Sequence, residues 1–147
     1  MQNLVLGRFM VLLAAVLAAA TLAPKISAAA GSLEKETVLH SFGGGTDGVD
    51  PLGGLVMNAE GKLYGTTQEG GADGVGTGFA LTPNATKTKW TEAVLYNFCS
   101  QRKTCADGVF PLAGLIGDAS GGLYGTTSEG GSTGSGSYAG TVFELKP

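Results

Sequence analysis

The sequence is poor in the residues from which most catalytic and metal sites are built. It holds a single histidine, His40, and two cysteines, Cys99 and Cys105. Only 14% of its 147 residues are charged. No basic run occurs, so nothing provides the electrostatic footprint that nucleic acid or an anionic membrane surface would need. The two locally basic stretches, Lys87-Thr88-Lys89 and Arg102-Lys103, read as solvated loops. Two cysteines and one distant histidine make too poor a ligand set for a metal, and no cofactor is expected. Helical periodicity is missing too. After the first thirty residues no window carries apolar side chains at helical spacing for three turns, so essentially no helix is expected.

What the chain has in quantity is glycine, 26 residues, and an apolar start. Arg8 precedes Phe9 to Leu22, fourteen residues almost without polarity, and Ser27-Ala28-Ala29-Ala30 follow. A basic n-region, a short h-region and an A-x-A-like site spell a secretory signal peptide over residues 1–30. As a helix the apolar run spans only ~21 Å against a hydrocarbon core of ~30 Å, which disfavours a retained anchor. No cysteine follows it, so a lipid anchor there has no attachment point. Cleavage removes Arg8 and Lys25, leaving seven basic residues against twelve acidic ones and a net charge of −5. The mature chain, 31–147, is then expected in the periplasm, at the cell surface or secreted, with no membrane contact. In such an oxidising compartment Cys99 and Cys105 are expected to form one local disulfide.

Self-comparison reveals two copies of one unit. Asp47-Gly48-Val49-Asp50-Pro51-Leu52-Gly53-Gly54-Leu55 answers to Asp107-Gly108-Val109-Phe110-Pro111-Leu112-Ala113-Gly114-Leu115. Leu63-Tyr64-Gly65-Thr66-Thr67 and Glu69-Gly70-Gly71 return as Leu123-Tyr124-Gly125-Thr126-Thr127 and Glu129-Gly130-Gly131. Val38 to Phe42 matches Val94 to Phe98, and Gly76 to Pro83 matches Gly140 to Pro147. The second copy carries two insertions, one holding both cysteines and one in the Ser/Gly run 132–139; insertions of this kind mark loops. Repeat one covers about 36–83 and repeat two about 90–147.

Each copy reads as four short strands rich in Val, Leu, Tyr, Phe and Thr, bounded by Gly, Pro, Asp and Asn. They are Thr37–Phe42, Gly54–Asn58, Lys62–Thr67 and Gly76–Thr82, then Ala93–Phe98, Gly114–Asp118, Gly122–Thr127 and Gly140–Lys146. Strands apolar on both faces suit sheets covered on two sides, as in stacked propeller blades. A period near sixty with four strands is the sequence form of such a blade. The fold class expected is therefore all-β, with two β-propeller-type blades cut out of phase, so that the last blade lacks its own outer strand. Two blades fall short of a ring of the usual four to eight. That leaves a remnant of a longer gene, a subunit of an oligomeric ring, or an independent two-sheet domain.

The duplicated string G-x-LYGTT-x-E-GG, with GT-x-F-x-L-x-P and the aromatic-ended VL-x-x-F strand, resembles the GloVer repeat of "choice-of-anchor" tandem-repeat proteins on bacterial cell surfaces. The resemblance covers residues 36–147. It implies an exported protein with propeller-like repeats and a variable anchor, and it implies no established reaction. This chain shows two repeats and no C-terminal anchor.

No catalytic residue emerges. Asp47/Asp107 and Glu69/Glu129 are duplicated and precede glycine, which is turn chemistry. Gly130-Gly131-Ser132-Thr133-Gly134 fits G-x-S-x-G, but a Ser/Gly loop follows and no histidine lies downstream, so it is not a nucleophile elbow. Gly74 to Gly78 precedes a strand and is no nucleotide fingerprint. Asp47 to Asp50 lacks the alternating ligands of a calcium loop. His40 aligns with Tyr96 and reads as a half-buried ring. Asn84-Ala85-Thr86 is a sequon on a loop, relevant only in a eukaryotic host.

The first expectation for function is a non-catalytic interaction module that self-associates or joins other repeat-containing chains. A second is a lectin-like protein binding a glycan or peptide through Trp90, Tyr96 and Tyr138. A third is a hydrolase with an unrecognised carboxylate pair. The small-residue run places the mature N-terminus between Ala28 and Gly31, which N-terminal sequencing of exported protein checks. Mature material still carrying Met1 or Arg8 would refute it.

Overall fold

Seven strands in two antiparallel sheets make up the folded part. The structure, a computed structural model, describes residues 35–100, 104–131 and 139–147. The expected signal peptide and Tyr138 lie outside the described residues. The first sheet has the order β1 (Val56–Met57), β2 (Leu63–Thr67), β3 (Thr77–Pro83) and β4 (Trp90–Asn97). The second has β5 (Ile116–Gly117), β6 (Leu123–Thr127) and β7 (Thr141–Leu145). Each is a meander in which sequence neighbours pair, Leu63 opposite Leu81 in the first and Leu123 opposite Leu145 in the second. β4, which belongs by sequence to the second repeat, completes the first sheet. A bulge between Gly78 and Phe79 bends that last pairing.

Because side chains alternate along a strand, each sheet presents two apolar faces. Leu115, Leu123, Phe143 and Leu145 of the second sheet pack on Val56, Tyr64 and Ala80 of the first. Leu63, Phe79 and Leu81, on the opposite face of the first sheet, are covered by Phe42 and Trp90. Where the sheets meet, Gly78 leaves room for Leu145, whose side chain would have to shift for a larger residue. A Cβ on Gly78 would stand 2.7 Å from Leu145 Cδ1, closer than real carbon atoms approach. Thr66 Oγ1 donates across the junction to the carbonyl of Ala113 at 3.2 Å.

Three expectations are corrected. Thr37–Phe42 forms no strand. It has the pattern of an outer strand, which needs the edge of another sheet, and among the described residues no sheet edge pairs with it. Phe42 nevertheless packs edge-to-face on Phe79 at 5.0 Å. Gly54–Asn58 and Gly114–Asp118 shrink to two-residue strands. The preceding glycines bring the two chains into backbone contact instead of a ladder: a Cβ on Gly53 would lie 2.7 Å from Ala113 O. Gly45–Asp47 makes a 3-10 turn among the described residues.

The junction has an aromatic pivot. Phe98, 1% exposed, leaves the end of β4 and meets Phe143 edge-to-face at 5.0 Å. Phe98→Ala should cost ~3–5 kcal/mol, as truncation of a fully buried aromatic does. Leu52→Ala, at a site 63% exposed, should stay within ~0.5 kcal/mol. Chemical denaturation of both variants checks this, and equal losses would refute the pivot.

Candidate functional site

The polar side chains gather in two kinds of cluster, and each kind occurs once per repeat. In the first kind an aromatic ring with a polar tip is tied to an aspartate in the following loop. His40 Nε2 lies 3.1 Å from Asp47 Oδ1, and Gly43 N donates to Asp47 Oδ2 at 2.7 Å. In the second repeat Tyr96 donates its hydroxyl to Asp107 Oδ2 at 2.6 Å, and the amide and hydroxyl of Ser100 donate to the same oxygen, each at 2.9 Å. Burial works to raise the Asp107 carboxyl, but these donors outweigh it and hold the group below its usual range. Burial first, then Asp107, raises the Tyr96 phenol. Glu92, on β4, completes the first cluster. Burial and then the charge of Asp47 raise its carboxyl, against a lowering by His40. Its Oε1 is buried with no hydrogen-bond partner among the described residues.

A His–Asp pair beside a raised carboxyl has the parts of an acid/base site. The second repeat makes the same clasp with a phenol, which stays protonated near neutral pH and so supplies no base. What the two clasps share is mechanical: each pins the Val-Leu-x-x-Phe segment that begins its repeat to the loop that follows it.

The second kind closes the hairpins. Asn58 accepts from Lys62 N at 2.9 Å and donates Nδ2 to Tyr64 Oη at 3.2 Å. Asp118, its counterpart, accepts from the amides of Ser120 and Gly122 and from the Ser120 hydroxyl. Tyr124 Oη lies 2.8 Å from Asp118 Oδ2 and 3.0 Å from Glu144 Oε1, and its one proton serves one carboxylate at a time. Lys146 Nζ stands 3.4 Å from Glu144 Oε2. These two hairpins, with Lys62, Glu144 and Lys146, line a cleft of about 780 Å³. Three carboxylates, Glu60, Asp118 and Glu144, and two ammonium groups, Lys62 and Lys146, make its wall polar and suited to hydrogen-bonding a hydroxyl-rich ligand.

The expected ligand surface is not assembled. Trp90 and Tyr96 stand at opposite ends of β4, ~20 Å apart at strand rise. Trp90 packs on Leu63, Phe79 and Leu81, Tyr96 is tied to Asp107, and neither lines the cleft. Tyr138 is outside the described residues. Cys99 and Cys105 are joined in a disulfide. The loop they close is pinned by backbone bonds from Cys99 N to Gly108 O and from Gly108 N to Cys105 O. Among the described residues no three His, Cys, Asp or Glu side chains gather as a metal site would require.

Sequence reasoning took Asp47 and Asp107 for turn residues and missed their rings. A signal existed: ring and aspartate are 7 residues apart in one copy and 11 in the other. The difference is the four-residue insertion. Asp118 and Glu144 had no such signal, because their counterparts Asn58 and Ala80 are uncharged.

The cleft cluster has a titration signature. The Ser120 hydroxyl, then Tyr124 and the Gly122 amide, pull Asp118 down to about 2. A depressed carboxyl stabilises the fold above its unfolded pKa of about 3.9, and that contribution fades as pH falls toward 2. Asp118 and then Glu144 push Tyr124 up to about 12. Spectrophotometric titration should therefore show one phenol ionising well after an ordinary tyrosine, and Tyr124→Phe should remove that step. A Tyr124 that titrates near 10 would contradict the arrangement.

Comparison with curated proteins and with solved structures finds no match. The model of the Gloeobacter/Verrucomicrobia repeat matches residues 24–147, a span that takes in both LYGTT strands, both clasps and both hairpins. On that match the chain belongs to the Gloeobacter/Verrucomicrobia repeat family.

Proposed function

We propose that the chain is an exported, non-catalytic module of β-propeller type, with a signal peptide over 1–30 and a two-repeat domain over 31–147, working by interaction in the periplasm or at the cell surface. The observation that carries this reading is duplication. The His40–Asp47 clasp has its twin in Tyr96–Asp107, and the Asn58–Tyr64 hairpin has its twin in Asp118–Tyr124. A third pair is buried: Thr67 donates to Glu69 O and takes the Thr77 amide, as Thr127 does with Glu129 O and the Thr141 amide. A catalytic group is needed once per site, whereas a group present in each repeat serves each repeat's fold. The disulfide supports an oxidising compartment. Among the described residues no helix is long and apolar enough to cross a membrane.

A lectin-like role is the second reading, and the cleft favours it. Asp118, Glu144 and Lys146 there offer charged hydrogen-bonding groups of the kind that engage sugar hydroxyls, in place of Trp90, Tyr96 and Tyr138. The hydrolase reading fares less well at the same place. Glycoside hydrolysis needs a carboxyl held protonated beside an ionised one, and Asp118, held ionised, fills only the second of these roles.

Incubation of the mature protein with polysaccharide and peptide panels should yield no product. Turnover that His40→Ala or Glu144→Gln abolishes would overturn the non-catalytic reading. Glycan-array binding that Asp118→Ala removes would move the lectin reading to first place.

A further inference from the structure

We infer that residues 36–42 of one copy of this chain complete the second sheet of another copy, pairing antiparallel with β7 in a fixed register: Ser41 opposite Thr141, His40 opposite Val142 and Val38 opposite Phe143. The inference rests on the propeller-type reading and goes beyond it by naming the partner and the residues that meet.

The chain contains one worked example of the joint. β4 pairs with β3, with Asn97, Tyr96 and Val94 opposite Thr77, Gly78 and Phe79. Its chain then runs to Phe98, which packs on Phe143 of the next sheet. Glu36-Thr37-Val38-Leu39-His40-Ser41-Phe42 repeats Glu92-Ala93-Val94-Leu95-Tyr96-Asn97-Phe98, with Glu, Val, Leu and Phe identical.

The far end of this segment already sits where the example puts it. Phe42 meets Phe79 at 5.0 Å and 68°, as Phe98 meets Phe143 at 5.0 Å and 65°. His40 stands edge-on to Phe42, as Tyr96 does to Phe98, and each holds its loop aspartate. Among the described residues no sheet receives residues 36–41. β7 offers the matching vacancy: it pairs with β6 alone in its sheet, and Val142 is 82% exposed.

The chain's own β7 cannot be the receiver. Phe42 lies on the Leu63–Phe79–Leu81 face of the first sheet, whereas the second sheet packs on the opposite, Tyr64–Ala80 face. The first sheet therefore stands between the segment and β7. A second copy has no such obstacle, and it brings the exposed Ile116 and Val142 to the apolar face of the first sheet. The Leu63–Phe79–Leu81 face is the counterpart of Leu123–Phe143–Leu145, the face buried inside this chain. Ile116 and Val142, 71% and 82% exposed, stand where Val56 and Gly78 receive it. The contact is head-to-tail, so each copy is left with one donor segment and one free edge. Val142 in place of Gly78 keeps the neighbouring Leu81 further out than Leu145 sits inside the chain. Glu144 enters the joint already partnered by Tyr124 and Lys146.

Cysteine pairs in the full mature chain test the register. His40→Cys with Val142→Cys places facing Cβ atoms ~4.5–5.5 Å apart, within disulfide reach. Glu36→Cys with Val142→Cys is displaced by three residues, ~10 Å along the strand, and out of reach. Mild oxidation should give about tenfold more intermolecular cross-link in the first pair than in the second, since facing positions alone meet disulfide geometry. Light scattering of the unsubstituted chain should show a mass above the monomer that rises with concentration. Equal cross-linking in both pairs would refute the register. A monomer mass across the series, with no cross-link and a cooperative thermal transition, would overturn the exchange altogether. That last result leaves the non-catalytic reading intact, which only the turnover assay can overturn.

Discussion

The contact on which the rest depends is the burial of one sheet's Leu–Phe face against the Tyr–Ala face of its neighbour. The second sheet has no core of its own, whereas the first also has the Leu63–Phe79–Leu81 cluster under Phe42 and Trp90. Leu115, Leu123, Phe143 and Leu145 find apolar cover only because Val56, Tyr64 and Ala80 of the other sheet supply it. A unit of about sixty residues buries too little of its surface to stand alone, so the repeat is a piece of structure rather than a domain. The local sequence serves this contact. Gly78 is bare to admit Leu145, and the chains around Gly53 and Gly114 touch backbone to backbone.

Polar groups then fix how the chain passes from one sheet to the next. The buried threonines are the clearest case. Thr67 and Thr77, both 0% exposed, satisfy each other, and Thr67 also bonds the Glu69 carbonyl, so no hydroxyl is left without a partner in the dry junction. The ring–aspartate clasps act at the outer rim, where water competes and a charged acceptor is the stronger choice. In the second repeat the insertion lengthens that loop by four residues. Cys99–Cys105 restrains the added chain beside Asp107, so the clasp survives the insertion.

Much of this was legible in the sequence, for identifiable reasons. LYGTT is a strand in both copies because its neighbours on either side are strands of the same chain. The disulfide was legible because two cysteines six apart in an insertion have no other partner. Thr37–Phe42 failed as a strand although its pattern is that of β4, because a strand is a property of a pair and its partner lies outside the first sheet. Trp90 read as a ring that either packs or meets a ligand, with packing favoured, and it packs on Leu63, Phe79 and Leu81; sequence alone does not say which face of β4 turns inward. The cleft was invisible for another reason: it forms from two hairpins sixty residues apart, and each hairpin alone reads as a turn.

Where the two copies differ is as informative as where they agree. Asn58, Gly78, Ala80 and Thr82 of the first repeat become Asp118, Val142, Glu144 and Lys146 in the second. All four changes add bulk or charge, and all lie on the outer side of the second sheet or at the mouth of the cleft. The contact inside the chain joins a face of small residues to leucines and excludes water. A contact made by the outer face of the second sheet must accommodate Glu144 and Lys146, and is necessarily wetter and more polar. Polar groups that stay partly hydrated contribute less to affinity per unit area than a dry apolar face. In the exchange inferred above, the joint made by β7 is therefore weaker than the one between the chain's own sheets, with the charged residues of the second repeat marking the boundary between them.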